Sequence, residues 1–336
     1  MSMSMKSIIK KVIVKSGLLR LRQYCLPKTI LILYFHSVTD QWELAQEFIP
    51  GISVRSGTFY RLMQVLRKHY HPLTLEDIVE GLDGRKELPS RSVAITFDDG
   101  FEDNYRLAAP IMEEFGIRAA FYLTSGCVEH QTLPWFAKLR YLTNQAKVQS
   151  RLVHDTLVEK DWQLPHDARN LFLHHACQCA CMSWQQQLDR IAYVEKMLEL
   201  QFDDETAPRM MTWEMARDLI QRGHIIGNHT YSHPNVGHIS REYQQIEIVE
   251  SHRLLETRLG QTPKHFSYPH PCLEHQNDAV SDEMVRFLGY KTIVFTRHGE
   301  VELETSPFDL PRVSIGEMPL DELIWNLETT FSGMKS

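Results

Sequence analysis

The sequence lacks the features of several common classes of protein. Its 336 residues contain no basic cluster interleaved with aromatic side chains, and the formal net charge is −7, so nucleic acid is not expected as a partner. Internal repeats, low-complexity tracts and interdomain linkers are missing too. The length suits one large domain of the α/β-barrel size class or two smaller domains, and we favour one.

Cysteine is scarce and unevenly placed. Three of the six cysteines stand alone, and the other three crowd the segment Cys177–Cys181, which is not the pattern of a disulfide framework. Unpaired thiols indicate a reducing compartment, the cytoplasm. The crowded cysteines follow His174 and His175, a combination that suggests a second metal site. The stretch has helical character, however, and we favour cysteine there as a small buried apolar residue.

The first 28 residues lack acidic side chains. Every charged residue before Asp40 is basic, and the lysines and arginines interleave with isoleucine, valine and leucine. The apolar stretch is broken by Lys15 and no small-residue cleavage site follows it, so neither a membrane span nor a secretory signal is predicted. Residues 1–28 form either a basic amphipathic helix on an anionic membrane surface or a helix packed on the protein's own domain. We expect a cytoplasmic location, with the first alternative adding peripheral contact at the inner face of the membrane.

Short β-branched or aromatic runs alternate with segments of helical periodicity, which is typical of βα units and predicts an α/β fold. The predicted strands are Thr29–Phe35, His71–Leu75, Ser92–Phe97, Arg118–Leu123, His224–Asn228, Lys264–Tyr268, Lys291–Phe295 and Leu310–Ile315. The predicted helices are one capped by Thr58, with Phe59, Leu62, Met63 and Leu66 on its buried face, and Asn104–Phe115, Trp213–Arg222, Ser240–Leu259 and Asp278–Leu288.

Residues from about 128 to 209 interrupt this alternation. They carry little strand signal, and apolar residues recur at helical spacing between His166 and Leu200. We expect a helical insertion at the carboxyl-end face of the strands, where barrel sites are built. It either shapes a substrate cleft or packs beside the domain.

Two polar motifs follow predicted strands. The first is Thr96-Phe97-Asp98-Asp99-Gly100, and the second is His229-Thr230-Tyr231-Ser232-His233. Adjacent aspartates at a strand end point in different directions, so one can bind a cation while the other has a separate role. An Asp-His-His set with an open fourth position is typical of a catalytic metal site. The second aspartate is then placed to accept a proton from metal-activated water.

These motifs, T-F-D-D-G with H-T-x-S-H-P, resemble the two signatures of the polysaccharide deacetylase family, the NodB-homology carbohydrate esterases. The resemblance covers roughly residues 29–315 outside the insertion, and it implies a distorted (β/α) barrel domain, taken here as 29–336. It implies that Asp98 is the catalytic base and that Asp99, His229 and His233 bind a divalent metal ion. Zinc is the expected ion, with cobalt and nickel as alternatives.

Residues His265-Phe266-Ser267-Tyr268-Pro269 resemble the third family motif, in which a backbone N–H at the tyrosine helps to bind the oxyanion. That role carries over to Tyr268. The motif's arginine, which orients the catalytic aspartate, has no counterpart here. Arg312 is the candidate replacement, and the alternative is an exposed arginine beside a turn.

The family's late Leu-x-x-His motif, which supplies the acid that protonates the leaving amine, is also missing after Lys264. Leu33-Tyr34-Phe35-His36 instead ends the first predicted strand, which lies beside the last strand in a closed barrel. We therefore predict a circularly permuted motif order with His36 as the general acid. A histidine satisfied near the core is the alternative interpretation, and His270 and His298 are the other candidate acids.

Trp135 opens the insertion, where it either stacks on a sugar through an exposed face or anchors the insertion as a buried residue. The resemblance implies metal-dependent removal of an N-acetyl or similar small N-acyl group from an amino sugar of a glycan. Without a predicted secretion signal, we expect a lipid-linked or nucleotide-linked precursor of envelope polysaccharide. The alternative is a glycan-binding pseudoenzyme that keeps the metal site and has lost turnover, which the altered third motif favours.

Overall fold

In a computed structural model, which describes residues 29–269 and 277–331, the chain forms a curled sheet covered by helices. The predictions for residues 1–28 and for His270 lie outside the described residues. Within those ranges, every helix is too short or too polar to cross a membrane.

The strands include the eight predicted positions and four short additions. They are β1 (Ile30–Phe35), β2 (Ser37–Thr39), β3 (Ser53–Arg55), β4 (His71–Leu73), β5 (Ser92–Phe97), β6 (Ala119–Leu123), β7 (Leu152–Asp155), β8 (Lys160–Gln163), β9 (Ile225–Asn228), β10 (His265–Ser267), β11 (Thr292–Val294) and β12 (Val313–Ser314). The main sheet runs in the order β11, β10, β9, β6, β5, β1, β12, and β4 pairs with the first half of β5.

The first and last strands of the main sheet lie side by side. Leu33 of β1 pairs in parallel with Val313 of β12. Just before β12, Leu310 forms a parallel bridge with Val294 of β11, at the other edge of the sheet. The strands therefore close into a ring, which confirms the predicted distorted (β/α) barrel.

The central strands are buried on both faces. Every residue of β1, β5 and β6 is buried, as expected for parallel strands that are covered on both sides. Leu33 belongs to the large core shared with the helices, whereas its neighbour Ile32 packs with Tyr122 and Val294 in a second cluster. Successive side chains point to opposite faces, so each apolar strand fills two cores.

The helices mostly follow the predicted periodicity. They are Trp42–Phe48, Ser56–His69, Leu75–Leu82, Ala109–Glu114, Ser125–His130, Trp135–Gln145, Ala168–Cys179, Trp184–Leu198, Trp213–Gln221, Arg241–Gln245, Ser251–Leu259, Ala279–Phe287 and Leu320–Phe331. Two predicted helices contain a π-helical turn each, Asn104–Ala108 and Ile246–Glu250. The Thr58 cap is wrong: Thr58 lies inside the first turn of Ser56–His69, and its hydroxyl donates to Glu317 at 2.9 Å.

The insertion has its own core, formed by three helices and a hairpin. The insertion is mainly helical, as predicted, but strand β7 pairs antiparallel with β8 in a hairpin that the sequence did not predict. The two strands have four residues each, and burial alternates along β7, with Val153 and Asp155 inward, too short a pattern to stand out in the sequence. Cys179 is buried in this core. Among the described residues, the side chains grouped closely enough to hold a metal ion do not include Cys177–Cys181.

Candidate active site

The polar motifs meet at the carboxyl ends of the parallel strands. Asp98 and Asp99 follow β5, His229 follows β9, and His36 follows β1. Arg312 precedes β12, where the ring closes, and its long side chain reaches Asp98 from the amino end of that strand. The strand ends share one face of the barrel, so residues far apart in sequence converge there.

Asp99, His229 and His233 form a buried group that fits a metal ion. Their ligand atoms all lie within 4.8 Å of one another, and an Asp99 oxygen is 3.3 Å from Nε2 of His233 and 3.6 Å from Nε2 of His229. Both carboxylate oxygens of Asp99 are buried without a hydrogen-bond partner, an arrangement that is costly unless a cation satisfies them. One carboxylate and two imidazoles make a donor set that suits zinc with an open coordination position.

Backbone conformation and one hydrogen bond set the directions of these three side chains. Asp99 and His233 have positive φ angles of 75° and 62°, a region that few non-glycine residues adopt. Nδ1 of His229 donates to the carbonyl of Ser267 at 2.8 Å, which leaves Nε2 directed at Asp99. Such a second hydrogen bond fixes the tautomer and the orientation of a ligating imidazole.

The loop that carries His233 is held by buried hydrogen bonds. The His233 N–H donates to Oγ1 of Thr230 at 3.1 Å. The carboxylate of Glu247 accepts from the N–H groups of Tyr231 and Ser232 and from the Ser232 hydroxyl. Burial raises the pKa of Glu247 to about 7, although these hydrogen bonds favour its charged form. The candidate ligand His233 therefore lies on a loop that is hydrogen-bonded to the helical layer.

Asp98 and Arg312 form a buried bidentate ion pair. Nη1 and Nη2 of Arg312 donate to the two oxygens of Asp98 at 2.8 and 2.7 Å, and Nε donates to the carbonyl of Phe295 at 3.0 Å. Burial raises the pKa of Asp98, but the charge and hydrogen bonds of Arg312 outweigh it and hold that pKa well below its usual range. Arg312 is 0% exposed, so the alternative of an exposed arginine beside a turn is wrong.

Ser267 belongs to this site and was missed in the sequence. Its hydroxyl accepts from Nη2 of Arg312 at 3.0 Å and donates to Asp98 at 3.4 Å. Its carbonyl holds His229. Ser267 therefore links the ion pair to the candidate metal ligands. Its signal in the sequence was its place in the stretch that resembles the third family motif, directly before Tyr268.

His36 borders the same cleft as the candidate metal ligands. The cleft has a volume of about 290 Å³, and its lining includes His36, Asp99 and His233. Burial lowers the pKa of His36, while the nearby carboxylates of Asp99 and Asp98 raise it. His298 is exposed and does not line this cleft. Of the candidate acids that the structure describes, His36 is the one beside the ligands.

The structure contradicts the prediction for Tyr268 and favours one of the two alternatives for Trp135. The backbone N–H of Tyr268 continues the sheet by donating to the carbonyl of Val294 at 3.3 Å, so it is not available for an oxyanion. Trp135 lines the cleft, but it is only 7% exposed, and its Nε1 donates to the carbonyl of His233 at 3.0 Å. Its burial favours the second alternative, an anchor of the insertion.

Comparison with known proteins agrees with this geometry. The family model described as polysaccharide deacetylase matches residues 85–293, more than half of the chain. Two solved structures share the fold: Streptococcus pyogenes deacetylase PplD in complex with acetate (TM-score 0.58, 18% identity) and IcaB from Ammonifex degensii (TM-score 0.54, 15% identity). Each alignment covers 90% of this chain, with 99% of PplD and 97% of IcaB.

Sequence relatives are named as deacetylases. YxkH of Bacillus subtilis, assigned to the polysaccharide deacetylases, is 20% identical over 86% of this chain and 72% of its own length. The peptidoglycan-N-acetylglucosamine deacetylase of Bacillus cereus is 33% identical over 18% of this chain, and the match spans 23% of that protein. The poly-beta-1,6-N-acetyl-D-glucosamine N-deacetylase of Escherichia coli is 34% identical over 24% of this chain and 12% of its own length. The chain belongs to the polysaccharide deacetylase family, whose named relatives are hydrolases of carbon–nitrogen bonds.

Proposed function

We propose that this protein is a metal-dependent hydrolase that removes an N-acetyl or similar small N-acyl group from an amino sugar of a glycan or a lipid-linked glycan precursor. One observation supports this above all: the carboxylate of Asp98 accepts two hydrogen bonds from Arg312 and lies next to a buried Asp-His-His group. A family relationship with N-deacetylases supports the choice of bond.

Asp99, His229 and His233 would hold the metal ion, zinc or else cobalt or nickel. When bound, a divalent ion supplies Lewis acidity, which lowers the pKa of water and polarises a carbonyl oxygen. The three side chains would then be satisfied together, because the unpartnered oxygens of Asp99 gain the cation that their burial requires.

Asp98 is the proposed general base. Arg312 keeps its carboxylate ionised, so that it is ready to accept the proton of the attacking water. The bidentate geometry also fixes the plane of the carboxylate, and Ser267 adds a third contact. A base held this rigidly needs little reorganisation during proton transfer.

His36 is the proposed general acid, which gives a proton to the amine as the carbon–nitrogen bond breaks. It borders the cleft beside Asp99; burial lowers the pKa of His36, and the two aspartates oppose that shift by favouring its protonated form. His36 follows β1, and β1 lies in the sheet between β12 and β5, the strand that the two aspartates follow.

Acetate release tests this proposal. Protein loaded with zinc is assayed on an N-acetylglucosamine oligomer, on UDP-N-acetylglucosamine and on polyprenyl-diphosphate-linked N-acetylglucosamine. Asp98→Asn should lower the rate by about 10²- to 10⁴-fold while the bound metal is kept. Asp309→Asn, which removes an exposed carboxylate paired with Arg297, is the matched control and should behave as wild type. Metal-loaded protein that binds these sugars and releases no acetate would instead support the pseudoenzyme.

We also propose that the substrate is met at the inner face of the membrane. The basic and apolar pattern of residues 1–28 supports this location. The full chain should sediment with vesicles of anionic phospholipid and remain in solution with vesicles of neutral phosphatidylcholine. Equal behaviour with both kinds of vesicle would contradict the location.

A further inference from the structure

The walls of the cleft beside the candidate metal ligands are largely apolar. One wall is the loop after helix Trp42–Phe48, and the other comes from the insertion helices Trp135–Gln145 and Ala168–Cys179. The apolar lining residues are Phe48, Ile49, Pro50, Ile52, Phe136 and Phe172. A polar group in such surroundings is costly to leave without a hydrogen bond. Each polar side chain of the lining therefore needs a partner, either in the protein or in a ligand.

Tyr34 brings one such polar group to the cleft. It lies near the end of β1, two residues before His36, and pairs with Ser314 of β12; all three residues line the cleft. Tyr34 is 8% exposed. Within residues 29–269 and 277–331 its hydroxyl has no hydrogen-bond partner, and it is not enclosed by protein atoms. The hydroxyl is therefore open to a ligand in the cleft.

The Tyr34 ring contacts both the partner of the proposed base and the proposed acid. The guanidinium carbon of Arg312, which holds Asp98, is 4.4 Å from the centroid of this ring. The His36 ring lies edge-on at 5.6 Å. A cation–π contact of this kind stabilises the position of the aromatic ring. The hydroxyl is thus held beside the groups that would act on an N-acyl substituent.

Two other candidate donors near Tyr34 are already engaged. The five N–H groups of a guanidinium are its whole supply of donors, and Arg312 uses all of them within the protein. Their acceptors are Thr96, Asp98 (twice), Ser267 and the carbonyl of Phe295. The backbone N–H of Tyr268 donates to the carbonyl of Val294. The Tyr34 hydroxyl is the donor that remains open next to this ion pair.

We propose that the Tyr34 hydroxyl donates a hydrogen bond to the oxygen of the N-acyl group during hydrolysis, the contact that the Tyr268 N–H cannot make. This inference rests on the proposed function. As water adds to the carbonyl carbon, the π electrons of the C=O bond move to the oxygen, and a preorganised donor stabilises that charge. The hydroxyl proton stays on Tyr34, and the C=O bond re-forms when the carbon–nitrogen bond breaks. Tyr34 is then a catalytic residue that transfers no proton, unlike Asp98 and His36.

Tyr34→Phe tests the hydroxyl while it keeps the ring. Phenylalanine can still stack on Arg312, so the melting temperature and the zinc content should match those of wild type. With the N-acetylglucosamine substrate that wild type hydrolyses fastest, kcat should fall by about 10²- to 10³-fold with little change in KM. Tyr60→Phe removes the hydroxyl of an exposed tyrosine that packs on Phe115, and it should keep the wild-type kcat. A wild-type kcat for Tyr34→Phe would overturn the proposal.

Binding of a transition-state analogue separates this inference from the proposed function. In a methylphosphonamidate of glucosamine, a tetrahedral anionic phosphorus centre replaces the acetyl carbonyl. Calorimetry on zinc-loaded proteins should show about tenfold to a hundredfold weaker binding of this analogue by Tyr34→Phe than by wild type. Equal affinities, in a wild type that releases acetate, would overturn the role of Tyr34 and leave the proposed function standing. A wild type that neither releases acetate nor binds the analogue would refute the proposed function, and this inference with it.

Discussion

Arg312 donates to both oxygens of Asp98 across 214 residues of sequence, and both side chains are buried. A buried ion pair is costly to break, because removing one partner leaves the other charge unpaired away from water. The same ion pair therefore stabilises the folded barrel and keeps Asp98, the proposed base, ionised.

Removing Arg312 should therefore destabilise the protein strongly. We expect Arg312→Ala to cost about 3–5 kcal/mol in the free energy of unfolding. The exposed pair Arg297–Asp309, 2.9 Å apart, is the control, and Arg297→Ala should cost about 1 kcal/mol or less. Arg312→Lys keeps the charge but loses the bidentate geometry, and kcat should fall by about a hundredfold. Denaturant unfolding and acetate release measure both effects, and similar losses for Arg312→Ala and Arg297→Ala would contradict the buried pair.

Asp99→Asn should separate metal binding from stability. Asparagine tolerates the positive φ of this position and removes a buried charge that has no hydrogen-bond partner. We expect the metal-free variant to melt no lower than metal-free wild type. Zinc should raise the melting temperature of wild type and not of the variant, because only wild type keeps the complete donor set. A zinc-dependent shift of equal size in both proteins would show that Asp99 is not a ligand.

Trp135→Phe should weaken metal binding without touching a ligand side chain. The change removes the hydrogen bond to the carbonyl of His233, and loss of such a supporting contact typically costs about 10- to 100-fold in metal affinity. Trp162→Phe is the matched control, since it removes a tryptophan hydrogen bond to Asp155 inside the insertion. Its zinc affinity, measured by competition with a chelator, should stay at the wild-type value. Equal zinc affinities for all three proteins would refute the role of Trp135.

His36→Ala should slow turnover in a way that depends on the leaving group. For an amide substrate we expect kcat to fall by about 10²- to 10⁴-fold, because the departing amine needs a proton. An activated ester such as 4-methylumbelliferyl acetate needs no such proton, so the same variant should lose far less activity with it. Metal content and melting temperature check that the site remains intact. An equal loss with amide and ester would contradict an acid role.

His175 should make the insertion sensitive to acid. It is buried, and its Nε2 lies 3.1 Å from the Asp155 carboxylate. Burial lowers the pKa of His175 to about 4, helped by Arg190 and opposed by Asp155. Because the pKa is lower in the folded state, the unfolded chain binds the proton at a higher pH than the folded protein does. The stabilisation from neutral His175 is therefore complete above about pH 6.5 and declines as the pH falls toward 4.

The corresponding test uses metal-free protein. Between about pH 7.5 and about pH 5, wild type should lose about 2 kcal/mol more unfolding free energy than His175→Gln, at about 1.36 kcal/mol per pKa unit. His166→Gln changes an exposed histidine and should keep the wild-type pH dependence. Parallel pH profiles for wild type and His175→Gln would rule out this assignment.

The candidate metal-binding group could be predicted because its residues come from two motifs that are each short and continuous in sequence. Asp98 and Asp99 end one apolar run and His229 ends another, and parallel strand ends meet at one face. Ring closure was predictable from barrel geometry, which is why His36 was a candidate acid. Arg312 was a candidate because it stands at a late predicted strand and the third motif lacks its arginine. The exact partners of Arg312 were not predictable, because they lie on three other strands or strand ends.

The remaining errors concern properties that no residue type reveals. Whether the backbone N–H of Tyr268 points at a neighbouring strand or at a cleft depends on sheet register, and register places it against Val294. Ser267 was overlooked because one serine at a strand end carries little signal. Trp135 is equally plausible as a surface or a core residue until the packing of the insertion is known.

Closure of the ring on its first strand also has a consequence for folding. The segments that carry His36 and Arg312 flank the matched region 85–293, and β12 must dock against β1 before the site is complete. Contacts between the two ends of a chain form slowly, because a long loop has to close first. During synthesis, Asp98 exists before its counter-charge has been made. A chain that stopped at Ile293 would contain every proposed metal ligand and still leave the Asp98 carboxylate without Arg312.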